Sequence, residues 1–241
     1  MIKEALQYLV NLGEVEIKRE NGQTYSTQPL YLIKNPIAQT VTVNTLTGLV
    51  DYLKSSFDEE FHNDSLMVHV ASPTHVSVYS HLNDDMTRNA FIEAKAFLPE
   101  FRFGRFYDPE SFNIALQAVF VSNDDLKGVL KLVGNIKDDN ITLYGDDGIS
   151  QQVTAKMGVA TVAHVKVPNP VRLSPYRTFV EVSQPESNFV FRMHKGQDGP
   201  ECALFEADGG AWRNTAMQAI MAYLQESLEA QIEIGNIVLI V

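Results

Sequence analysis

A run of alternating aromatic and basic residues, 101–106, is the stretch whose residue types could hold a ligand. Aromatic faces stack on nucleobases and arginines attract phosphates. The run therefore supplies candidate ligand-binding residues for a nucleotide or a single strand: Phe101, Arg102, Phe103 and Arg105. The same alternation is typical of an edge strand with its aromatic side chains inward and its arginines in water. We favour the edge strand, and the binding groove is the alternative.

The glycine pair Gly209-Gly210 precedes a predicted helix and is the second candidate ligand-binding site. Backbone N–H groups at a helix start can hold a phosphate. Glu206 and Asp208 lie beside the pair, and their negative charges would repel one. We therefore favour a structural role, in which the glycines let the chain turn sharply and Trp212 caps the core.

Four histidines lie close together in the sequence: His62, His69, His75 and His81. Strand alternation places His75 and His81 on one polar face. Their spacing is not a known metal-ligand spacing. We interpret them as solvated histidines and predict no metal site.

Motifs for catalysis are absent from the sequence, which has no nucleophile elbow, phosphate loop, zinc-protease motif or dinucleotide fingerprint. The single cysteine, Cys202, lies in a predicted strand and is interpreted as a small buried residue. The aspartates at 146–147 lack the spacing and the closing glutamate of a calcium loop. We predict no catalytic residue and no cofactor. An enzyme with an unrecognised carboxylate site is an alternative, and its carboxylates would be Asp146, Asp147, Glu206 and Asp208.

The net charge of −11 over 241 residues argues against broad binding to a phosphate backbone, which needs a basic stripe. We expect no tight binding to duplex DNA, and at most weak single-strand binding through Arg102 and Arg105. No apolar run is long enough to span a membrane. Residues 1–12 resemble an amphipathic helix more than a signal peptide, and a lone cysteine fits a reducing compartment. The sequence therefore favours a cytoplasmic protein without membrane contact.

The last third of the chain, 171–228, carries the clearest secondary-structure pattern. β-rich runs predict strands at 178–182, 189–193 and 203–206. After Trp212, apolar residues at helical spacing predict a long helix: Met217, Ile220, Met221, Leu224 and Leu228.

Other elements follow from periodicity and capping signals. Helix starts are expected at Thr45, at Asp108-Pro109, and at Ser122, which forms a capping box with Asp125. A helical stripe of apolar residues predicts a further helix over 84–98. Strands are predicted at 14–19, followed by an Asn21-Gly22 hairpin turn, and at 41–43, 66–71, 75–81, 141–144, 149–157 and 159–167.

This mixture predicts an α+β fold in which helices pack on an antiparallel sheet. Residues 68–79 resemble residues 180–191, since each stretch looks like a hairpin that is followed later by a helix. The chain is thus either one continuous unit, 1–241, or two similar β-hairpin-plus-helix halves, 1–135 and 136–241.

The tail, 232–241, is an unusually apolar run that would be an aggregation hazard if it were exposed. We predict a homo-oligomer in which residues 237–241 pair with the sheet edge of a neighbouring subunit. A strand within the same chain is the competing outcome.

Several motifs carry a family resemblance: TLTGLVDYL at 45–53, FNIALQ at 112–117, DDGISQQ at 146–152, PNPVRL at 168–173 and FEADGG at 205–210. Through them the chain, over about residues 5–228, resembles a family of uncharacterised proteins encoded by phages and prophages of Gram-positive bacteria. It is more distantly similar to an uncharacterised enterobacterial prophage family. The resemblance implies a cytoplasmic protein that a phage makes during infection and that is not part of the virion. It implies no catalytic residues.

Three functions are compatible with these observations. The first is a non-enzymatic phage interaction protein that modulates a host process, such as antiviral defence, by binding a host protein or by sequestering a small signalling molecule. The second is an accessory protein of phage DNA replication or recombination. The third is the enzyme with an unrecognised carboxylate site.

Overall fold

The structure is a computed structural model that describes residues 2–11, 13, 15–20, 23–27, 37–55, 57–58, 65–84, 86–134, 141–146, 151–157, 161–166, 169–197 and 199–241. The chain forms two compact units, Met1–Ile37 and Ala38–Val241.

In the first unit, the described residues form one helix and one pair of strands. Helix α1 (Ile2–Asn11) precedes strands β1 (Ile17–Glu20) and β2 (Gln23–Ser26), which pair antiparallel from Ile17↔Ser26 to Glu20↔Gln23. The Asn21-Gly22 turn lies outside the described residues, but the strands on either side of it pair as the turn signal predicted.

The second unit holds the remaining elements. In chain order they are β3 (Val41–Val43), α2 (Leu46–Ser55), β4 (Leu66–Ser72), β5 (His75–Tyr79), β6 (Ala90–Lys95), α3 (Pro109–Val119), β7 (Phe120–Val121), α4 (Asp124–Gly134), β8 (Ile141–Asp146), β9 (Gln151–Met157), β10 (Thr161–Lys166), β11 (Val171–Pro175), β12 (Ser187–Lys195), β13 (Pro200–Glu206), α5 (Trp212–Ser227), α6 (Glu229–Glu233) and β14 (Ile237–Ile240). They confirm the α+β class.

A five-stranded sheet has the order β14-β4-β5-β6-β3. Strands β4, β5 and β6 are antiparallel, whereas β14 runs parallel to β4 and β3 runs parallel to β6. Strand alternation turns Val68, Val78 and Ile92 to one face of this sheet, where they are buried. Helices α2 and α5 cover that face, with Leu49 and Ile220 fully buried.

A four-stranded antiparallel sheet has the order β13-β12-β11-β7 and supports a second core. Phe189, Phe191 and Leu204 project from it and pack with residues of α3 and α4, such as Phe112 and Leu126. Strands β8, β9 and β10 form a separate three-stranded antiparallel sheet.

Residues 84–98 do not form the predicted helix, because residues 90–95 form strand β6. The stripe that suggested a helix leaves Met86 and Phe97 among the most exposed apolar side chains. Ile92 and Ala94 are buried instead, two residues apart, and pair with β5 and β3. The helix prediction was wrong because only two apolar residues, Ile92 and Ala94, show the alternation of a strand. That signal was too short to outweigh the helical spacing of the longer segment.

Residues 178–182 form a turn and not the predicted strand. The strand that pairs with β12 is β11, through Val171↔Phe189 to Leu173↔Ser187. The resemblance between 68–79 and 180–191 therefore does not correspond to two similar hairpins. The halves 1–135 and 136–241 stay a prediction, although both cores take residues from either side of residue 135.

Two capping predictions have different outcomes. The Asp108 carboxylate accepts the Ser111 backbone N–H at 2.9 Å and caps α3, as predicted. For α4 the cap is Asn123, which accepts the Leu126 N–H at 2.8 Å, and not Ser122. The Asp125 side chain instead accepts the Arg172 N–H at 2.7 Å, so the expected capping box does not form.

The apolar tail forms β14, which pairs with β4 of the same chain from Ile237↔Leu66 to Ile240↔His69. The sequence analysis gave this strand within the same chain as the alternative to pairing with a neighbouring subunit. This pairing does not test the oligomer, because the outer edge of β14 has no partner strand among the described residues.

Candidate functional site

A cavity of about 550 Å³ lies where the start of α3, the end of α4 and the turn between β12 and β13 meet. Its volume lies in the range of small-ligand sites. The described residues that line it are Asp108, Pro109, Glu110, Asn113, Ile114, Val133, Gly134, Gly199, Pro200 and Glu201.

The start of α3 is fixed against β13 by backbone hydrogen bonds. The Tyr107 N–H donates to the Cys202 carbonyl at 2.9 Å, and the Cys202 N–H donates to the Tyr107 carbonyl at 2.8 Å. Asp108 and Glu201 are the residues adjacent to this pair in the sequence, so the bridge brings two acidic residues to one wall of the cavity.

Three carboxylates give the cavity its charge. Hydrogen bonds from the Ser111 side chain and backbone hold the pKa of Asp108 below its usual range, so this group stays ionised. Glu110 is exposed in the first turn of α3. The Glu201 Oε2 atom lies 3.2 Å from His194 Nε2. No described lining residue is a lysine or an arginine. The cavity therefore favours a cationic group and disfavours phosphates.

The aromatic–basic run, 101–106, packs its aromatic side chains against a core and does not form the edge strand that the sequence favoured. The Gly104 N–H donates to the Leu204 carbonyl at 2.7 Å and holds the segment on β13 as a turn. Phe101 packs 5.1 Å from Phe120 between ring centroids, and Phe103 stacks on Phe189 at 5.1 Å. These ring faces are occupied by neighbouring rings, which leaves them poorly placed to stack on a base.

The two candidate arginines of this segment are exposed but engaged. Arg102 Nε lies 2.6 Å from Glu100 Oε1. The Arg105 guanidinium lies 5.7 Å from the centroid of the Tyr107 ring. The arginines therefore lie in solvent, whereas Phe101 and Phe103 pack against the core. The edge-strand interpretation expected these side-chain positions, although the segment is a turn and not a strand.

Gly209 and Gly210 both adopt positive φ angles, 62° and 81°, and make the sharp turn before α5. The Gly210 N–H donates to Asp208 Oδ1 at 3.0 Å. Burial opposes the charge of Asp208, but hydrogen bonds from Ser187, Gly210 and Trp212 outweigh it and hold the pKa of this carboxyl low. A carboxylate of the chain itself therefore sits where an anion would bind.

A buried arginine beside this turn was missed by the sequence analysis. Arg177 Nη1 donates to Glu206 Oε1 at 2.9 Å, and Nη2 donates to the Ser187 hydroxyl. The Ser187 hydroxyl in turn donates to Asp208 Oδ2 at 2.7 Å. The guanidinium stacks 4.1 Å over the Trp212 ring. We call these five residues the Arg177 cluster.

The face of the five-stranded sheet opposite the helices carries a second polar group that resembles catalytic residues in type. Ser77 Oγ and Glu93 Oε2 both lie 3.0 Å from the same atom, His75 Nε2. A catalytic histidine uses its two nitrogens separately, one for the nucleophile and one for the carboxylate. Ser77 is also buried, and Glu93 is paired with Lys95. The arrangement is that of a cross-strand polar contact.

The remaining candidates that the structure describes do not gather into a site. His81 contacts Ser65 at 2.8 Å, and His62 lies outside the described residues. Asp147 and the side chain of Asp146 also lie outside the described part. Burial raises the pKa of Cys202 to about 12, which fits the small buried residue that the sequence analysis favoured.

Comparisons with known proteins give no relative, since no protein-family model, curated protein or solved structure matches the chain. In the described part of the chain, no group of three or more His, Cys, Asp or Glu residues could hold a metal ion. No helix in that part is long and apolar enough to cross a membrane.

Proposed function

We propose that the chain is a non-enzymatic interaction protein that binds a basic segment of a host protein through the acid-lined cavity. The observation that carries the proposal is the lining of this cavity, with Asp108, Glu110 and Glu201 and no described basic residue. A lysine or arginine side chain of a partner would find complementary charge there.

The same charge favours one of the two ligands expected from the sequence over the other. A small signalling molecule of the nucleotide class carries phosphates, which the three carboxylates would repel. A protein segment with basic side chains is attracted, and the net charge of −11 would also speed its encounter with the chain.

A binding role suits these carboxylates better than a catalytic one. Asp108 is held ionised by its capping hydrogen bonds, so it is a poor proton donor near neutral pH. Glu201 is paired with His194, and the buried thiol of Cys202 is not a ready nucleophile.

The biological setting in this proposal comes from the sequence resemblance. A phage would make the protein in the host cytoplasm during infection, and the partner would belong to a host process such as antiviral defence. An accessory role in phage DNA replication or recombination is less well supported, because Phe101 and Phe103 pack in a core.

The test is isothermal titration calorimetry with a capped peptide rich in lysine and arginine, at low and at physiological salt. We expect binding that weakens as salt rises. Glu110→Gln should weaken it about threefold to fivefold, as for one exposed ion pair of about 1 kcal/mol. Glu226→Gln is the matched control, because it removes the same charge from an exposed position of α5 outside the cavity.

Two results would contradict the proposal. One is equal peptide affinity for wild type, Glu110→Gln and Glu226→Gln, which would make the binding a property of the whole acidic surface. The other is tighter binding of ADP than of the peptide, competing for the same site.

A further inference from the structure

One edge of the five-stranded sheet is formed by an apolar strand, β14, whose outer side pairs with no described strand. Strand β14 is the last strand of the sheet, next to β4 only. Two of its side chains point to the face opposite the helices, and Val238 is 50 % and Ile240 42 % exposed. Open edges that are apolar favour pairing with another strand.

The backbone of β14 has a defined set of unpaired groups. The Leu66 N–H donates to the Asn236 carbonyl at 2.8 Å. In a regular parallel ladder this directs the N–H and C=O groups of Val238 and Ile240 towards β4. The groups of Ile237 and Leu239 then point away from the sheet, towards an incoming strand.

A second copy of the same strand fits this edge in one register. A twofold axis through Leu239, perpendicular to the sheet, places Leu239 opposite Leu239 of the other copy in a hydrogen-bonded pair. Val238 then lies opposite Ile240 of the other copy, on the same face. The exposed apolar side chains of each copy cover those of the other, and the outward backbone groups find partners.

We propose that two copies of this chain join edge to edge through β14, antiparallel and centred on Leu239, so that the two five-stranded sheets become one continuous sheet. The chemistry of the strand favours a second copy as occupant. Residues 236–241 contain no charged side chain, so two acidic chains can meet there without like charges in contact. Closed twofold pairing also covers the open β14 edge of both copies at once.

The proposal concerns assembly and does not rest on the acid-lined cavity. Assembly through this edge should depend on salt because both copies are acidic. Each chain carries a net charge of −11, so the two copies repel at long range. Salt screens this repulsion, and the dimer should tighten as salt rises. Binding of the basic peptide in the cavity should change in the opposite direction.

Sedimentation velocity on the full chain tests the proposal, with circular dichroism to check that each variant is folded. The mass obtained for wild type should be twice the chain mass of 26.9 kDa. The variant V238K/I240K places lysine opposite lysine across the axis and should weaken the dimer by roughly tenfold or more. Both positions are exposed in the single chain, so the fold should be retained.

A charge reversal tests the register itself. The variant V238K/I240E places opposite charges across the axis and should restore the dimer relative to V238K/I240K. V180K is the control, because Val180 is exposed in the turn 178–182 and is not part of β14, and this variant should dimerise like wild type. A wild-type chain that stays monomeric at high concentration overturns the proposal. So does a V238K/I240K variant that dimerises like wild type, or a V238K/I240E variant no tighter than V238K/I240K.

Discussion

Arg177 shows how a single residue gains its importance from burial. Its guanidinium lies over the Trp212 ring and over the Phe189 ring, at centroid distances of 4.1 and 5.5 Å. Burial lowers the pKa of Arg177 to about 10, against the opposing effects of Glu206 and Asp208. The residue is still cationic at neutral pH, so it depends on these partners and on the ring faces.

We expect Arg177→Ala to lower the free energy of unfolding by about 2–3 kcal/mol, because a buried ion pair and ring packing are lost together. We expect a smaller loss of unfolding free energy than for a fully buried ion pair, because Glu206 is partly exposed. Urea unfolding followed by fluorescence of the single tryptophan, Trp212, measures it. Arg172→Ala, at an exposed pair with Glu186, should cost under about 0.5 kcal/mol. Equal effects of the two changes would contradict this view of the cluster.

Asp208 predicts a specific pH dependence. Its pKa is lowered in the folded chain, so between the folded and unfolded pKa values the unfolded state binds more protons. The stability that this carboxylate provides is therefore present above about pH 4, the unfolded value, and is lost as the pH falls through the folded pKa.

Asp208→Asn should cost about 1 kcal/mol of unfolding free energy at pH 7, because charge-assisted hydrogen bonds become neutral ones. The difference from wild type should shrink as the pH falls below 4. Urea midpoints at several pH values measure both. Asp124→Asn, at an exposed position in the first turn of α4, is the control. A difference that stays constant down to pH 2 would contradict the assignment.

At the scale of elements, one side chain makes several of the hydrogen bonds within the connection 176–186 between β11 and β12. Gln184 Oε1 accepts the backbone N–H groups of Arg177 and Thr178, at 3.0 and 3.2 Å. Its Nε2 donates to the carbonyls of Phe179 and Val182, at 3.0 and 3.3 Å. The connection thereby places Phe179 in the core of the five-stranded sheet, although β11 and β12 belong to the other core.

Gln184→Ala should lower the free energy of unfolding by about 2 kcal/mol, since several partly buried backbone groups lose their partner at about 1 kcal/mol or less each. Gln218→Ala, on the exposed side of α5, removes the same side chain and should be neutral. Denaturant unfolding of both variants provides the comparison. The connection does not depend on Gln184 if the two variants unfold alike.

At the scale of the whole molecule, the unit Ala38–Val241 contains both hydrophobic cores and three of the four sheets that the described residues form. The unit is within the size range of an independent domain. The described residues that are buried in the two cores lie in this unit, between Leu46 and Ile237.

We therefore expect residues 38–241 to fold alone, with an unfolding free energy within about 1 kcal/mol of the full chain. Circular dichroism and urea unfolding of the two proteins measure this. A shortened chain without a cooperative transition would show that the first 37 residues are needed for folding. The outcome does not bear on the acid-lined cavity or on β14, which both lie in the second unit.

Sequence alone determined the elements whose signals are local. The Asp108 cap with Pro109, the helical repeat after Trp212 and the strand alternation of 66–71 depend on neighbours within a few residues, and all three are seen in the structure. The net charge, and with it the low affinity expected for duplex DNA, is likewise a property of composition.

Tertiary structure decided the features that depend on distant contacts. Residues 90–95 form a strand because they pair with β5 on one side and with β3 on the other. Residues 178–182 do not form a strand, because β11 pairs with β12 at the position where they were expected. The cavity joins Asp108 to Glu201, and the Arg177 cluster joins 177 to 206–212. Such groups arise only when backbone pairing brings remote segments together, because a local pattern carries no information about which strand will be the neighbour.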